Sequence, residues 1–170
     1  MYTTLTEREI DELKISLLEA AKKKLIRALK GLDIEGLTIH ERGGQGRKSI
    51  YNDRRMVIWI RCEYEGREYW ITLFESEIDP ESGNCHTQYG KIMFVKDLVK
   101  NYSSMSSPNQ ICDRTGESVF LRFESGKWKT PFPLGDREYV TAGDVMENDT
   151  LADEIAEAFA GFVKEQEDGV

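Results

Sequence analysis

The stretch MVIWIRCEY at 56–64, followed by EGRE at 65–68 and YWITLF at 69–74, decides the fold. β-Branched and aromatic residues crowd both outer runs and a polar, glycine-bearing tetrapeptide separates them, which is the pattern of a β-hairpin. Alternation places Ile58, Ile60, Cys62 and Tyr64 on one face. Val57 and Trp59 on the other face are apolar as well, as are Trp70 and Phe74 in the partner strand, so both faces are expected to be covered, as in the middle of a sheet.

Upstream, Thr6-Glu7-Arg8-Glu9 forms a capping box: the Thr6 hydroxyl accepts from the Glu9 amide and the Glu9 carboxylate reaches back. Ile10, Leu13, Leu17, Ala21, Leu25, Ala28 and Leu29 follow at helical spacing, Ile15, Leu18 and Ile26 widen the apolar face, and Gly31 is the stop. Such a helix is about 36 Å long, more than one small sheet covers, which leaves part of it for a second copy in a homodimer. Thr38–His40 region residues Leu37-Thr38-Ile39-His40 read as a short strand. The segment from Arg42 to about position 50, with Gly43, Gly44 and Gly46, reads as a mobile loop.

Downstream, 76–90 carries Asp79-Pro80 and Ser82-Gly83-Asn84 and reads as a surface loop. Lys91–Tyr102 fits a strand at Ile92–Val95 or a helix through Val95, Leu98, Val99 and Tyr102; a short helix starting near Phe94 is preferred. The Ser-rich stretch 103–109 opens a long loop to about 116. Val119, Leu121 and Phe123 alternate in a strand, Ser125-Gly126-Lys127 turns it into Trp128-Lys129-Thr130, and Pro131 and Pro133 suit an edge. Tyr139-Val140-Thr141 adds a short strand, and Leu151, Ile155, Phe159, Phe162 and Val163 give an amphipathic C-terminal helix to about Gln166. The fold class is α+β: a long N-terminal helix, an antiparallel-rich sheet of about four to six strands, a short middle helix and an amphipathic C-terminal helix, in a single domain over 1–170.

Composition bounds function. With 39% hydrophobic and 32% charged residues the chain is too apolar for disorder, and no run approaches the roughly 20 apolar residues that span a bilayer. No secretory leader is evident, and Cys62, Cys85 and Cys112 lack any Cys-x-x-Cys spacing, so free thiols in the cytoplasm are expected, with no membrane partner and no metal or other cofactor. A net charge of -8 disfavours generic adhesion to nucleic acid. That charge is segregated: between Lys22 and Arg55 ten basic residues meet four acidic ones, while from Asp136 to Asp168 eleven acidic residues meet only Arg137 and Lys164. Such a chain either pairs its two regions or shows two surfaces of opposite sign to partners.

No catalytic constellation stands out. The element order is similar to that of metal-dependent nucleases of the Pro-Asp…(Asp/Glu)-x-Lys type, whose chemistry needs two carboxylates on adjacent strands and a lysine. The nearest candidates are Asp53 and Glu65-Gly66-Arg67, with arginine in place of lysine; Glu63-Tyr64-Glu65 offers no cation. Cys85-His86 cannot form a thiolate–imidazole dyad, because neighbours on an extended backbone point apart. His40 beside Cys85 or Cys112 is selected by no spacing.

The strongest functional stretch is the glycine-rich one. Arg42, Arg47 and Lys48 flank its glycines, with Tyr51, Arg54 and Arg55 just beyond, and guanidinium groups bind phosphate or carboxylate bidentately. The sequence therefore favours a non-enzymatic binding protein acting through protein–protein contact, as an inhibitor or accessory factor of a larger, nucleic-acid-handling enzyme. In that reading the acidic C-terminal third docks on the enzyme's basic groove. A nucleic-acid-binding module built on Arg42, Arg47, Lys48, Tyr51, Arg54 and Arg55 is the alternative, and a divergent nuclease around Asp53 and Glu65 a second one.

Overall fold

The hairpin is the centre of the molecule. Strand β3 (Asp53–Tyr64) pairs antiparallel with β4 (Arg67–Phe74), from Val57 opposite Phe74 to Tyr64 opposite Arg67. Glu65 and Gly66 alone turn the chain, with φ of 52° and 75°. Two left-handed residues are what a twisted two-residue hairpin loop demands, so Arg67 and Glu68, read from sequence as turn, are already strand. The computed structural model describes residues 4–42, 45–50, 53–87, 91–96, 117–124, 127–129 and 139–168; positions 45–50, 53–55, 91, 93, 95, 117–124, 127–129 and 166–168 are described by backbone alone.

Every pairing in the main sheet is antiparallel. Alongside β4 lie β7 (Lys91–Lys96), β8 (Glu117–Glu124) and β9 (Lys127–Lys129) in that order. On the far side, β1 (Thr38–His40) pairs with Arg61–Glu63 of β3, and β2 (Gln45–Ile50) pairs with Asp53–Ile58. Since β4 holds the opposite edge of β3, β1 and β2 lie end to end along one edge, and the seven strands fill six positions. From His40 to Gln45 the edge advances five residues while β3 moves three, from Arg61 to Ile58.

Four expectations change here. The mobile loop expected over 42–50 is strand from Gln45 onward: a ladder with β3 outweighs the propensity penalty of Gly46, a tertiary override of local preference. Phe94, expected to start a helix, lies within strand β7. Ile92 and Phe94, two apart, are both fully buried, and that period-two burial decides the ambiguous run, while 97–102 fall outside the described residues. Within the loop expected at 76–90, Glu77–Ile78 (β5) pairs with Cys85–His86 (β6). The loop expected at 103–116 lies outside the described residues. Tyr139–Thr141 contributes an isolated parallel bridge, Phe74 to Thr141, in place of a strand.

Helix α1 (Glu7–Gly31) has the capping box at Thr6 and Glu9 and ends at Gly31 as read. It packs with α2 (Ala142–Glu147) and α3 (Leu151–Asp168) against one face of the sheet. Leu18, Ala21, Leu25, Ile26 and Leu29 meet Ile58, Ile60, Cys62, Ile71 and Leu73 in the core. Tyr69 stands edge-on to Phe159 and Phe162 at 6.3 and 6.0 Å, so α3 is fixed by aromatic geometry as well as by area. The N-terminal part of α1 rests on the β5–β6 hairpin: the Leu5 amide donates to the Pro80 carbonyl, and Leu13 lies beside Gly83. The length a small sheet leaves uncovered is thus partly covered within the chain. Among the described residues no helix is long and apolar enough to cross a membrane.

Candidate functional site

Strand alternation sends Val57, Trp59, Arg61 and Glu63 of β3 to the face away from the helices. Their register partners on β4 are Phe74, Thr72, Trp70 and Glu68, and His40 of β1 stands opposite Arg61. At one end of this outer face Val57 and Phe74 are buried under Tyr139, whose ring lies 4.4 Å from that of Phe74. Next come Trp59 and Trp70, half-buried, with ring centroids 6.1 Å apart and planes tilted by 55°.

The far end is charged. Glu63 and Glu68 are direct cross-strand partners, and like charges so placed repel. Arg61 answers this by reaching both carboxylates: its Nη2 lies 3.1 Å from Glu63 Oε1 and in contact with Glu68 Oε1. His40 Nε2 is 3.4 Å from the same Glu63 oxygen without hydrogen-bond geometry. Among the described residues, His40 Nε2, Arg61 Nε, Trp70 Nε1 and Thr72 Oγ1 are buried on this face without a hydrogen-bond partner. On the helix-covered face no described side chain is in that state. Each unsatisfied buried group costs about 1–3 kcal/mol, so the free chain carries a concentrated polar deficit here.

The six basic-stretch residues are distributed differently from the loop that sequence suggested. Arg42 is exposed and forms no ion pair with the described residues. Arg47 and Lys48 lie on β2, Arg54 and Arg55 on β3, and the register sets Lys48 opposite Arg55, Ser49 opposite Arg54 and Arg47 opposite Met56. Four cationic positions are thereby gathered on one two-stranded ribbon. Tyr51 lies outside the described residues.

On the helical side, Glu147, Asp149, Asp153, Glu157 and Glu165 are exposed and have no ion-pair partner among the described residues. The last turn of α3 contains no base. Asp153, in the first turn of α3, favours the helix dipole, whereas Glu165 near the C-terminus opposes it. Sequence reading missed α2, although Thr141-x-x-Asp144 carries the signal: Thr141 accepts from the Asp144 amide, and the Asp144 carboxylate accepts from the Thr141 amide at 2.8 Å. Thr87, Asp144, Glu147, Asn148 and Leu151 line a cavity of about 240 Å³ there.

No family model, curated protein or solved structure matches this chain. Its chemistry must be judged on geometry. Asp53 and Glu65 sit at opposite ends of β3, twelve residues apart and on the order of 40 Å at strand rise, so they cannot share a metal. Among the described residues no group of three or more His, Cys, Asp or Glu is placed to hold one. The Cys85 thiol is pushed above its ordinary range by burial, then by Glu147 and Asp144, which opposes the thiolate a nucleophile needs. Cys62 is buried and pushed up to about 12 by desolvation, and it pairs with Ile39, one position off His40.

Proposed function

We propose that the protein works by contact, as a binding protein whose acidic α2–α3 surface docks on a cationic protein surface, in the manner of an inhibitor or accessory factor of a larger nucleic-acid-handling enzyme. One observation carries this reading: the exposed carboxylates of Asp149, Asp153, Glu157 and Glu165 are not spent on ion pairs among the described residues. An unneutralised surface of one sign speeds encounter with a surface of the other and makes it salt-sensitive.

Affinity capture from the native cell tests it. Wild-type bait is expected to retain one dominant protein at low salt and to release it at high salt, and the double charge reversal Asp153→Lys/Glu157→Lys is expected to lose it. Equal recovery by both baits, or recovery of nothing, overturns the proposal.

A second reading is favoured by the β2–β3 ribbon. The DNA major groove admits a two-stranded β-ribbon, and Arg47, Lys48, Arg54 and Arg55 lie along this one. Direct binding of this kind predicts a gel shift whose salt slope falls by roughly one unit for each phosphate-contacting cation removed. No shift at low salt disposes of it.

A further inference from the structure

We infer that the cavity between the end of β6 and the α2–α3 junction seats one alkylguanidinium group, the end of an arginine side chain offered by a docked protein. The inference deepens the docking reading and rests on it for the source of that group.

The cavity gives the group room and a way in. Thr87 directly follows β6, Asp144 and Glu147 stand three residues apart on α2, Asn148 ends that helix and Leu151 opens α3. Together they line about 240 Å³. Cofactors and drug-sized ligands take roughly 300–1,000 Å³, so this volume suits a single long side chain better than a nucleotide. Thr87 and Glu147 are exposed and form the rim, while Asp144 and Leu151, both buried, close the floor. Asn148 holds one wall in place, its Oδ1 accepting from the amide and the hydroxyl of Thr150 at 3.1 Å each.

Charge names the ligand. Asp144 Oδ2 accepts from the Thr141 amide at 2.8 Å and the Thr141 hydroxyl at 3.1 Å; both donors are neutral, so these bonds leave the negative charge in place. Glu147 has no ion-pair partner among the described residues. Lys24, which reaches α2 from α1, donates to the Val145 carbonyl at 2.9 Å rather than to either carboxylate. The field of both carboxylates extends to the next side chain: after burial, Glu147 and Asp144 push the Cys85 thiol above its ordinary range. An anion is repelled from such a cavity, and a neutral group leaves the charge unanswered. Positions three apart on a helix are separated by about 5–6 Å at their Cβ atoms, a span that the planar, five-donor guanidinium bridges more fully than a compact ammonium. The Thr87 hydroxyl adds an acceptor at the rim.

The test is a titration of the full chain with n-propylguanidinium chloride at constant total chloride, followed by NMR of the Leu151 methyls and the Asn148 side-chain amide. The expected result is saturable movement of both signals in the millimolar range. The uncharged counterpart of the same shape, n-propylurea, is expected to bind roughly tenfold more weakly, and n-butylammonium more weakly than n-propylguanidinium. Asp144 completes the capping box of α2, so its replacement endangers the fold, and the variants are placed on the exposed rim instead. Glu147→Gln is expected to weaken binding by roughly five- to tenfold, and Thr87→Phe to abolish it by filling the mouth. No saturable movement at about 20 mM, a concentration that would fill most of a millimolar site, overturns the inference. So does an equal response to n-propylurea, tighter binding of n-butylammonium, or unchanged affinity in both variants. Capture from the native cell keeps the two claims apart. If wild-type bait retains no partner while the cavity still titrates, the docking reading fails and the guanidinium site stands. If wild-type and Thr87→Phe baits retain the same partner equally and the cavity does not titrate, the site fails and the docking reading stands.

Discussion

Lys14 Nζ of α1 stands 3.3 Å from Glu75 Oε1, and the other oxygen of the same carboxylate accepts the Met56 amide at 3.0 Å. Glu75 also exchanges backbone contact with Met56, its amide donating to the Met56 carbonyl at 3.1 Å. One largely buried side chain thus ties the first helix to the start of the central strand and the end of the next, at the base of the basic ribbon. Glu75→Ala is expected to lose about 2–3 kcal/mol, because it strands both Lys14 and the Met56 N–H, whereas Glu75→Gln keeps an acceptor for Met56 and loses about half as much. Urea denaturation midpoints check the order; equal losses would mean that the charge, rather than the hydrogen bond, dominates.

Thr72 lies at the centre of the sheet with its hydroxyl unpartnered and no exposed surface. Replacing it by valine removes a buried polar group at nearly constant shape. Thr72→Val is expected to raise stability by about 1 kcal/mol, against the usual direction for core substitutions. A lower thermal midpoint for this variant would show that the hydroxyl is satisfied in solution.

Much of the fold was legible because patterning and burial agreed. Ile58, Ile60 and Cys62 alternate in sequence and are all buried on the helix side, and Thr6 and Glu9 cap α1 as their spacing demands. The failures were of two kinds. Gly46 and its neighbours signal a loop by backbone preference, but the strand forms through pairing with a partner that lies later in the chain, which no local rule reports. Phe94 satisfied both periods, and only the burial of Ile92 two residues earlier separates them. The unmet hydrogen bonds of the outer face were not legible at all: Arg61, Trp70 and Thr72 looked like ordinary strand residues, since an unmet hydrogen bond is a property of three dimensions.

Two glycines make opposite predictions. A Cβ on Gly143 would fall 2.6 Å from Ser76 Oγ and 2.8 Å from Cys85 Sγ, in a place where the Gly143 amide donates to that same Ser76 oxygen at 2.5 Å. Gly143→Ala must therefore displace α2 from the β5–β6 hairpin, and a loss of about 1–3 kcal/mol is expected. Gly161, exposed on α3, has nothing within 4 Å of its added Cβ. Gly161→Ala is expected to gain about 0.5–1 kcal/mol from helix propensity alone. Thermal melts of the two variants should move in opposite directions.

Cys85 reports on the acidic cavity beside it. Burial contributes most to raising its pKa, and Glu147 and Asp144 add to it. Removing one of those charges lowers the pKa and increases the thiolate fraction at a given pH. Glu147→Gln is therefore expected to speed iodoacetamide labelling of Cys85 at mildly alkaline pH severalfold while Cys62 stays unlabelled, read peptide by peptide by mass spectrometry. An unchanged rate would place Glu147 too far from the thiol to matter.

Cys62 couples the core to pH. Its thiol, with an ordinary value of 9.0, is pushed up to about 12 by burial between Ile60 and Tyr64. In the unfolded chain the proton leaves near pH 9, and in the folded chain it stays until about 12. Between those values the folded state binds more protons, so stability falls as pH rises, with a slope approaching about 1.4 kcal/mol per pH unit for this one group. Below pH 9 both states are protonated and the contribution is complete. Cys62→Val removes the titration while keeping a buried apolar side chain of similar size, so its stability is expected to fall less steeply over that window than that of the wild type. Parallel slopes in urea unfolding from about pH 8.5 to 10.5 would mean that the thiol ionises as easily inside the sheet as in water.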